Sequence, residues 1–283
     1  MLSAIKHDIL FMIEAIVKKS TVILLISVLS ALICNTVASQ NHLCEDLIGK
    51  HADENLPMNS TDDKKKFISC LFKIQNSGFL LDEMDCKYDS SKLKIELALR
   101  GWTYLKDTLN QANLLKYFGY LNGRLGHFEE AKIQIQQAIE LYDAQNFEEG
   151  IMVSKFNLAK VFEYQGLIDS AVILSNNVRD FWDSKQDASR VFVTNTYLIH
   201  LADLTKKNIN IDSYIEDNQT ILIHSGIYWQ NELDFYYVTA EYYRSREASV
   251  SNRFARQYKE AVERKSDSSS EMQLSLYDPG HCR

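Results

Sequence analysis

The sequence predicts an all-α protein, a right-handed superhelical stack of antiparallel helical hairpins with a period of about 40 residues. Three observations predict it. Proline breaks helix interiors, and it occurs only at Pro57 and Pro279, leaving about 220 residues between them without one. Polar breaks recur at about 40-residue intervals, at 84–91 (MDCKYDSS), Gly126, Gly166, Lys206 and 246–252 (REASVSN), with apolar residues at helical spacing on both sides. Small residues stand seven apart around the breaks: Gly119 before Gly126, and Ala131 before Ala138. Residues seven apart share a helix face, and close helix crossings need small side chains.

The elements follow in chain order. Lys18 and Lys19 precede an uncharged apolar run from Thr21 to about Ala38, which closes on the small residues Thr36 and Ala38. A basic start, an apolar stretch and a small-x-small end form a secretory signal. The run is also just long enough to span a bilayer, so residues 1–38 read as a signal peptide or a signal anchor. Met1 and Met12 are both candidate starts. Residues 39–61 read as a linker. Residues 62–109 begin DDKKK, acids first and bases later as the helix dipole favours, and form an N-terminal hairpin that caps the stack. Residues 110–265 hold the repeats, and 266–283 form a polar, disordered tail.

Composition limits the function. The chain is 46% hydrophobic and 24% charged, which suits a packed core. Its formal net charge of -7 argues against nucleic-acid binding, which wants a basic stripe. Cys44, Cys70, Cys86 and Cys282 follow the signal and allow three pairings. A short loop favours Cys70 with Cys86, the alternative being buried thiols. N-S-T at Asn59 and N-Q-T at Asn218 fit the glycosylation acceptor pattern. No catalytic or phosphate-binding motif is present, the seven histidines show no ligand-pair spacing, and C-x-x-C is absent. The expectation is no enzyme, no cofactor and no metal.

Leu115, Phe118, Gly119, Gly126, Phe128, Ala131, Ile135 and Ala138 fall on the signature positions of the tetratricopeptide repeat, which this segment resembles. It departs from the pattern at Asn122, where an aromatic is usual, and at Asp143, where proline is usual. A second copy keeps Leu158, Ala159, Phe162, Gly166 and Ala171, with Val178 in place of alanine. The last hairpin offers Ala240, Tyr243 and Ala255, whereas the third, 197–222, lacks the landmarks. The resemblance implies a concave groove lined by the first helix of each hairpin. Carried onto this chain, the groove residues are Lys116, Tyr120 and Arg124, then Phe156, Lys160 and Tyr164, then Thr196 and His200, and last Tyr237, Glu241 and Arg244.

Lys116, Arg124 and Lys160 would line one end of that groove with positive charge, which favours an acidic or carboxylate-terminated segment as ligand. A scaffold whose charges are merely solvated is the competing reading. The aromatic run 227–244 serves the core or a partner surface. The expected function is an exported, periplasmic or inner-membrane-anchored interaction module that binds a protein or peptide segment and meets a membrane only through its N-terminal segment. The alternative is the extracytoplasmic sensory half of a cyclase- or kinase-linked signalling system without its output domain.

Overall fold

The computed structural model describes residues 42–52, 57–58, 60–83, 88–205 and 211–268. The signal segment 1–38, Asn59, Cys86, Lys206, Cys282 and the tail beyond Ser268 lie outside the described residues. Among those described, the chain forms eleven helices and no strand. They are α1 (42–52), α2 (Thr61–Glu83), α3 (Tyr88–Tyr104), α4 (Thr108–Arg124), α5 (Phe128–Asp143), α6 (Glu148–Tyr164), α7 (Ile168–Ser184), α8 (Ala188–Thr205), α9 (Asp212–His224), α10 (Trp229–Arg244) and α11 (Ala248–Ser268). From α2 onward they pair as successive hairpins. From α3 to α8 each helix also packs on the next, and α4 meets α6 as α8 meets α10.

The turns set the period. Lys106, Gly126, Asn146, Gly166 and Gln186 are 20 residues apart, and each has positive φ, between 55° and 83°. In each turn the residue after the positive-φ one donates back across the helix end: Asp107 N to Trp102 O, His127 N to Asn122 O, Phe147 N to Tyr142 O, Leu167 N to Phe162 O and Asp187 N to Trp182 O. This is the Schellman closure, which satisfies carbonyls that a helix end leaves without partners. Twenty residues of helix plus turn, taken twice, give the 40-residue repeat.

The small residues sit where the sequence requires. Gly119 is buried in α4, and a Cβ there would lie 2.6 Å from Ile135 Cγ1 and 2.8 Å from the Ala131 carbonyl oxygen. Ala131, Ala138, Ala159 and Ala171 are all fully buried. The second helices of three successive hairpins repeat one buried set at 40-residue intervals: Ser91, Ala131, Ala171; Ala98, Ala138, Val178; and the aromatics Trp102, Tyr142, Trp182.

Three expectations are corrected. Residues 42–52, expected within a linker, form α1, whose Cys44 and Ile48 are buried against α2 and α3. Cys70 pairs with Cys44 across 26 residues, which excludes the Cys70–Cys86 bridge. Crowded cysteines could not reveal this without knowing that α1 exists. In the last hairpin Ala255 is exposed, and Phe254 and Ala261 are buried instead. The turn at Ser245–Glu247 lacks a positive-φ residue and the long back-bond, so α11 meets α10 with another face.

Candidate functional site

First helices carry residues i, i+4 and i+8 along one face. The 40-residue repeat therefore aligns Phe156 and Lys160 of α6 with Thr196 and His200 of α8. The structure brings these four together with Tyr237 of α10, and they border one cleft of about 250 Å³. The cleft is also lined by Tyr197, Asn231 and Asp234, which sequence reasoning missed. Tyr197 sits three residues before His200, one helical turn away, and that spacing was the available signal.

Aromatic rings form the walls. Phe156 and Tyr197 meet edge to face at 5.2 Å between centroids. Lys160 sits 5.0 Å from the Phe156 ring and 5.5 Å from that of Tyr120, and it makes no ion pair within 4 Å among the described residues. Its ammonium is held by π faces, not by a carboxylate.

Glu163 binds α6 to α8. The Tyr197 hydroxyl donates to its Oε2 at 2.8 Å, and His200 Nε2 lies 2.9 Å from its Oε1. Burial alone would raise the Glu163 pKa. The hydrogen bonds from His200 and Tyr197 and the charges of His200 and Lys160 outweigh this and hold it below the usual carboxylate range. Burial first, and then the same carboxylate, push the Tyr197 hydroxyl far above the usual phenol value. Thr196 has its hydroxyl committed to the Phe192 carbonyl at 2.9 Å. The cleft thus offers one ammonium, one carboxylate and an amide between aromatic and aliphatic walls.

The remaining expected residues lie elsewhere. Tyr120 and Tyr164 bridge α4 and α6, with hydroxyls 3.5 Å apart and rings 6.3 Å apart. Arg124 stacks on Tyr88 at 4.3 Å and donates to its hydroxyl, tying α4 to α3. Lys116 has its pKa lowered by burial and by the charge of Arg190, and it contacts Asn113 Oδ1 at 3.4 Å. Arg244 pairs with Glu241 on its own helix and leaves its side chain 72% exposed. The expected basic lining therefore comes apart, and only Lys160 of the three cations borders the cleft. Asn218 is fully buried with its amide engaged, which closes N-Q-T to a glycan in the folded chain. No group of acidic, histidine or cysteine side chains fit for a metal occurs among the described residues.

No family model matches the chain, and no curated protein matches it. Among solved structures it is similar to the crystal structure of BtubC (BKLC) from P. vanneervenii. The two share 13% identity over 84% of this chain and 94% of that one, with a TM-score of 0.56. At that identity the likeness shows the fold alone. This chain is a helical repeat protein.

Proposed function

We propose that this chain is an exported tetratricopeptide-type interaction module that binds a peptide or protein segment in the cleft between α6, α8 and α10. The observation that carries the reading is the convergence of Phe156, Lys160, Thr196, His200 and Tyr237, from three hairpins, on one opening. A cleft with aromatic walls and few polar groups suits a side chain or two of an extended segment. Lys160 is the group for a ligand carboxylate, because its ammonium has no carboxylate partner of its own within 4 Å among the described residues. The Cys44–Cys70 disulfide supports the exported half of the reading, since such bonds persist in oxidising compartments.

The test is selection from a random peptide display library. Enriched sequences should carry an acidic residue or a terminal carboxylate, and Lys160→Glu should lower their affinity at least about tenfold while the helical circular dichroism at the assay temperature stays that of the wild type. Enriched peptides that bind Lys160→Glu and Tyr237→Ala as well as the wild type would remove the cleft from the proposal.

A further inference from the structure

The last helix leads the chain beyond it towards the cleft. α11 runs antiparallel on α10: the Tyr258 ring lies 6.4 Å from that of Tyr237, Arg264 donates to Glu232 at 2.6 Å, and Lys265 sits 5.5 Å from the Trp229 ring. Its final residue, Ser268, therefore stands beyond the start of α10, the end that gives Asn231 and Asp234 to the cleft. Residues 269–283 continue from there.

Their sequence is not uniformly polar. From Ser270 to Asp278 it reads SEMQLSLYD, with Met272, Leu274 and Leu276 at alternate positions and Asp278 two beyond. Alternate residues of an extended chain share a face. One face then carries Ser270, Met272, Leu274, Leu276 and Asp278, and the other Glu271, Gln273, Ser275 and Tyr277. The cleft repeats the order of the first face. Asn231 and Asp234 stand at its near end, the rings of Tyr237, Tyr197 and Phe156 line its walls, and Lys160 holds its far end. Lys160 is level with Ala240 of α10, 80 residues on, which is nine residues past Asn231. That is about 13 Å along the helices at 1.5 Å per residue, and α10 to α6 is two helix spacings, about 20 Å. The diagonal of about 24 Å compares with about 26 Å for the eight steps of extended chain from Ser270 to Asp278.

We infer that residues 270–278 of this chain are the cleft's own occupant. They lie in it as an extended strand, with three apolar side chains against Phe156, Tyr197 and Tyr237 and the Asp278 carboxylate on the Lys160 ammonium. The charges fit this direction and this face. Lys160 makes no ion pair within 4 Å among the described residues. Glu163 is turned to Tyr197 and His200. Asp234 meets the Ser270 hydroxyl, while Glu271 points the other way. The inference rests on the reading of the cleft as a peptide site and adds its regulation. An external segment binds only the fraction of molecules whose tail has left, and its apparent affinity falls by that fraction.

The test uses the full chain with Tyr237→p-benzoylphenylalanine, irradiated at sub-micromolar concentration, digested and sequenced by mass spectrometry. Beside the cross-link to the neighbouring Tyr258, products should fall in residues 270–278, and a mixture of isotopically heavy and light chains should show them within one molecule. Adding Lys160→Glu or Asp278→Lys should each cut the tail product at least about threefold, and the two together should restore it. Without the cross-linker, Leu274→Ser with Leu276→Ser should raise the affinity of display-selected peptides at least about threefold, because the cleft is then more often open. A Tyr258 product without a tail product, a tail product indifferent to the charge swap, or unchanged peptide affinity would overturn the inference and leave the peptide reading in place. Selected peptides that ignore Lys160→Glu and Tyr237→Ala would remove that reading, and the inference with it.

Discussion

Asn195 donates from Nδ2 to Asn218 Oδ1 at 3.0 Å, with both side chains fully buried between α8 and α9. Asn218 in turn donates to the Phe192 carbonyl and the Thr196 hydroxyl, each at 3.1 Å. Arg179 of α7 closes the chain, donating to Asn195 Oδ1 at 2.8 Å and to Asp217 at 2.6 Å. This polar chain replaces the small-residue crossing that the third hairpin lacks. Asn218→Ala strips partners from several buried groups at once, each costing about 1–3 kcal/mol. The expected loss is about 3–5 kcal/mol in urea denaturation, against less than about 0.5 kcal/mol for the exposed Ser213→Ala. A loss under 1 kcal/mol for Asn218→Ala would show that the network does not hold α9.

The turns predict opposite signs at neighbouring repeats. Gly126 and Gly166 have φ of 83° and 80°, and a Cβ at either would meet nothing within 4 Å. Alanine there costs only left-handed backbone strain, about 1 kcal/mol. Gln186 already bears that strain at φ 57°, so Gln186→Gly should gain about 0.5 kcal/mol once glycine's extra unfolded-state entropy is deducted. Asn146→Gly should gain less, since asparagine tolerates this region. Denaturation midpoints of the four variants check the order.

These turns also mark how far the sequence could be read. Gly126 and Gly166 announce themselves, because glycine is the usual left-handed residue. Lys106 and Gln186 adopt the same conformation with side chains that signal nothing, and Asn146 with one that signals it weakly, so three of the five turns were hidden. The 40-residue stack, its buried alanines and five cleft residues were legible because they depend on helical spacing alone. Glu163 and Asp234 were not. Their roles depend on how far α6, α8 and α10 stand apart, and spacing within one helix carries no such distance. The basic groove failed for the same reason: Arg124 faces Tyr88, contributed by a helix whose start was not assigned.

Two crossing glycines separate backbone from side-chain clashes. At Gly119 one atom in the way is the Ala131 carbonyl oxygen, which cannot yield without moving α5. At Gly123 the three nearest atoms all belong to the Val161 side chain, the closest at 2.7 Å. Gly119→Ala and Gly123→Ala should each cost about 1–3 kcal/mol by overpacking. Val161→Ala should relieve only the second, with a favourable coupling of about 1 kcal/mol in a double-mutant cycle. The same coupling at both glycines would contradict the packing described.

The Cys44–Cys70 bond closes a loop across 26 residues. Constraining such a loop in the unfolded chain stabilises the fold by about 3–4 kcal/mol in the chain-entropy model. Cys44→Ser should lower the denaturation midpoint accordingly. Hydrogen exchange should speed first in α1, whose other attachments include Ile48 in the core, the His51 ring 5.5 Å from that of Phe67 and the Glu45–Lys94 ion pair at 2.8 Å. Uniform loosening of all hairpins would mean that α1 is no separate unit.

Glu163 and Tyr197 shift in opposite directions through one hydrogen bond, so the link between α6 and α8 should weaken at both ends of the pH scale. A carboxylate whose folded pKa is depressed adds stability that is fully present above its ordinary value of about 4.3. That stability disappears as pH falls through the lower folded value. A phenol whose folded pKa is raised adds stability that is present below about 10 and declines as pH rises past it. Thermal melts of the wild type and Glu163→Gln separate the two limbs. At neutral pH the variant should melt lower, because the amide cannot replace the charge that Lys160 opposes or accept the Tyr197 hydroxyl as strongly. As pH falls below the depressed folded value the two curves should converge, since the wild-type carboxyl is then neutral as well. Above about pH 10 the wild type should lose stability more steeply, because its carboxylate is what helps hold the Tyr197 proton in place. Curves that run parallel from acid to alkali would show that Glu163 contributes shape to the cleft and no charge.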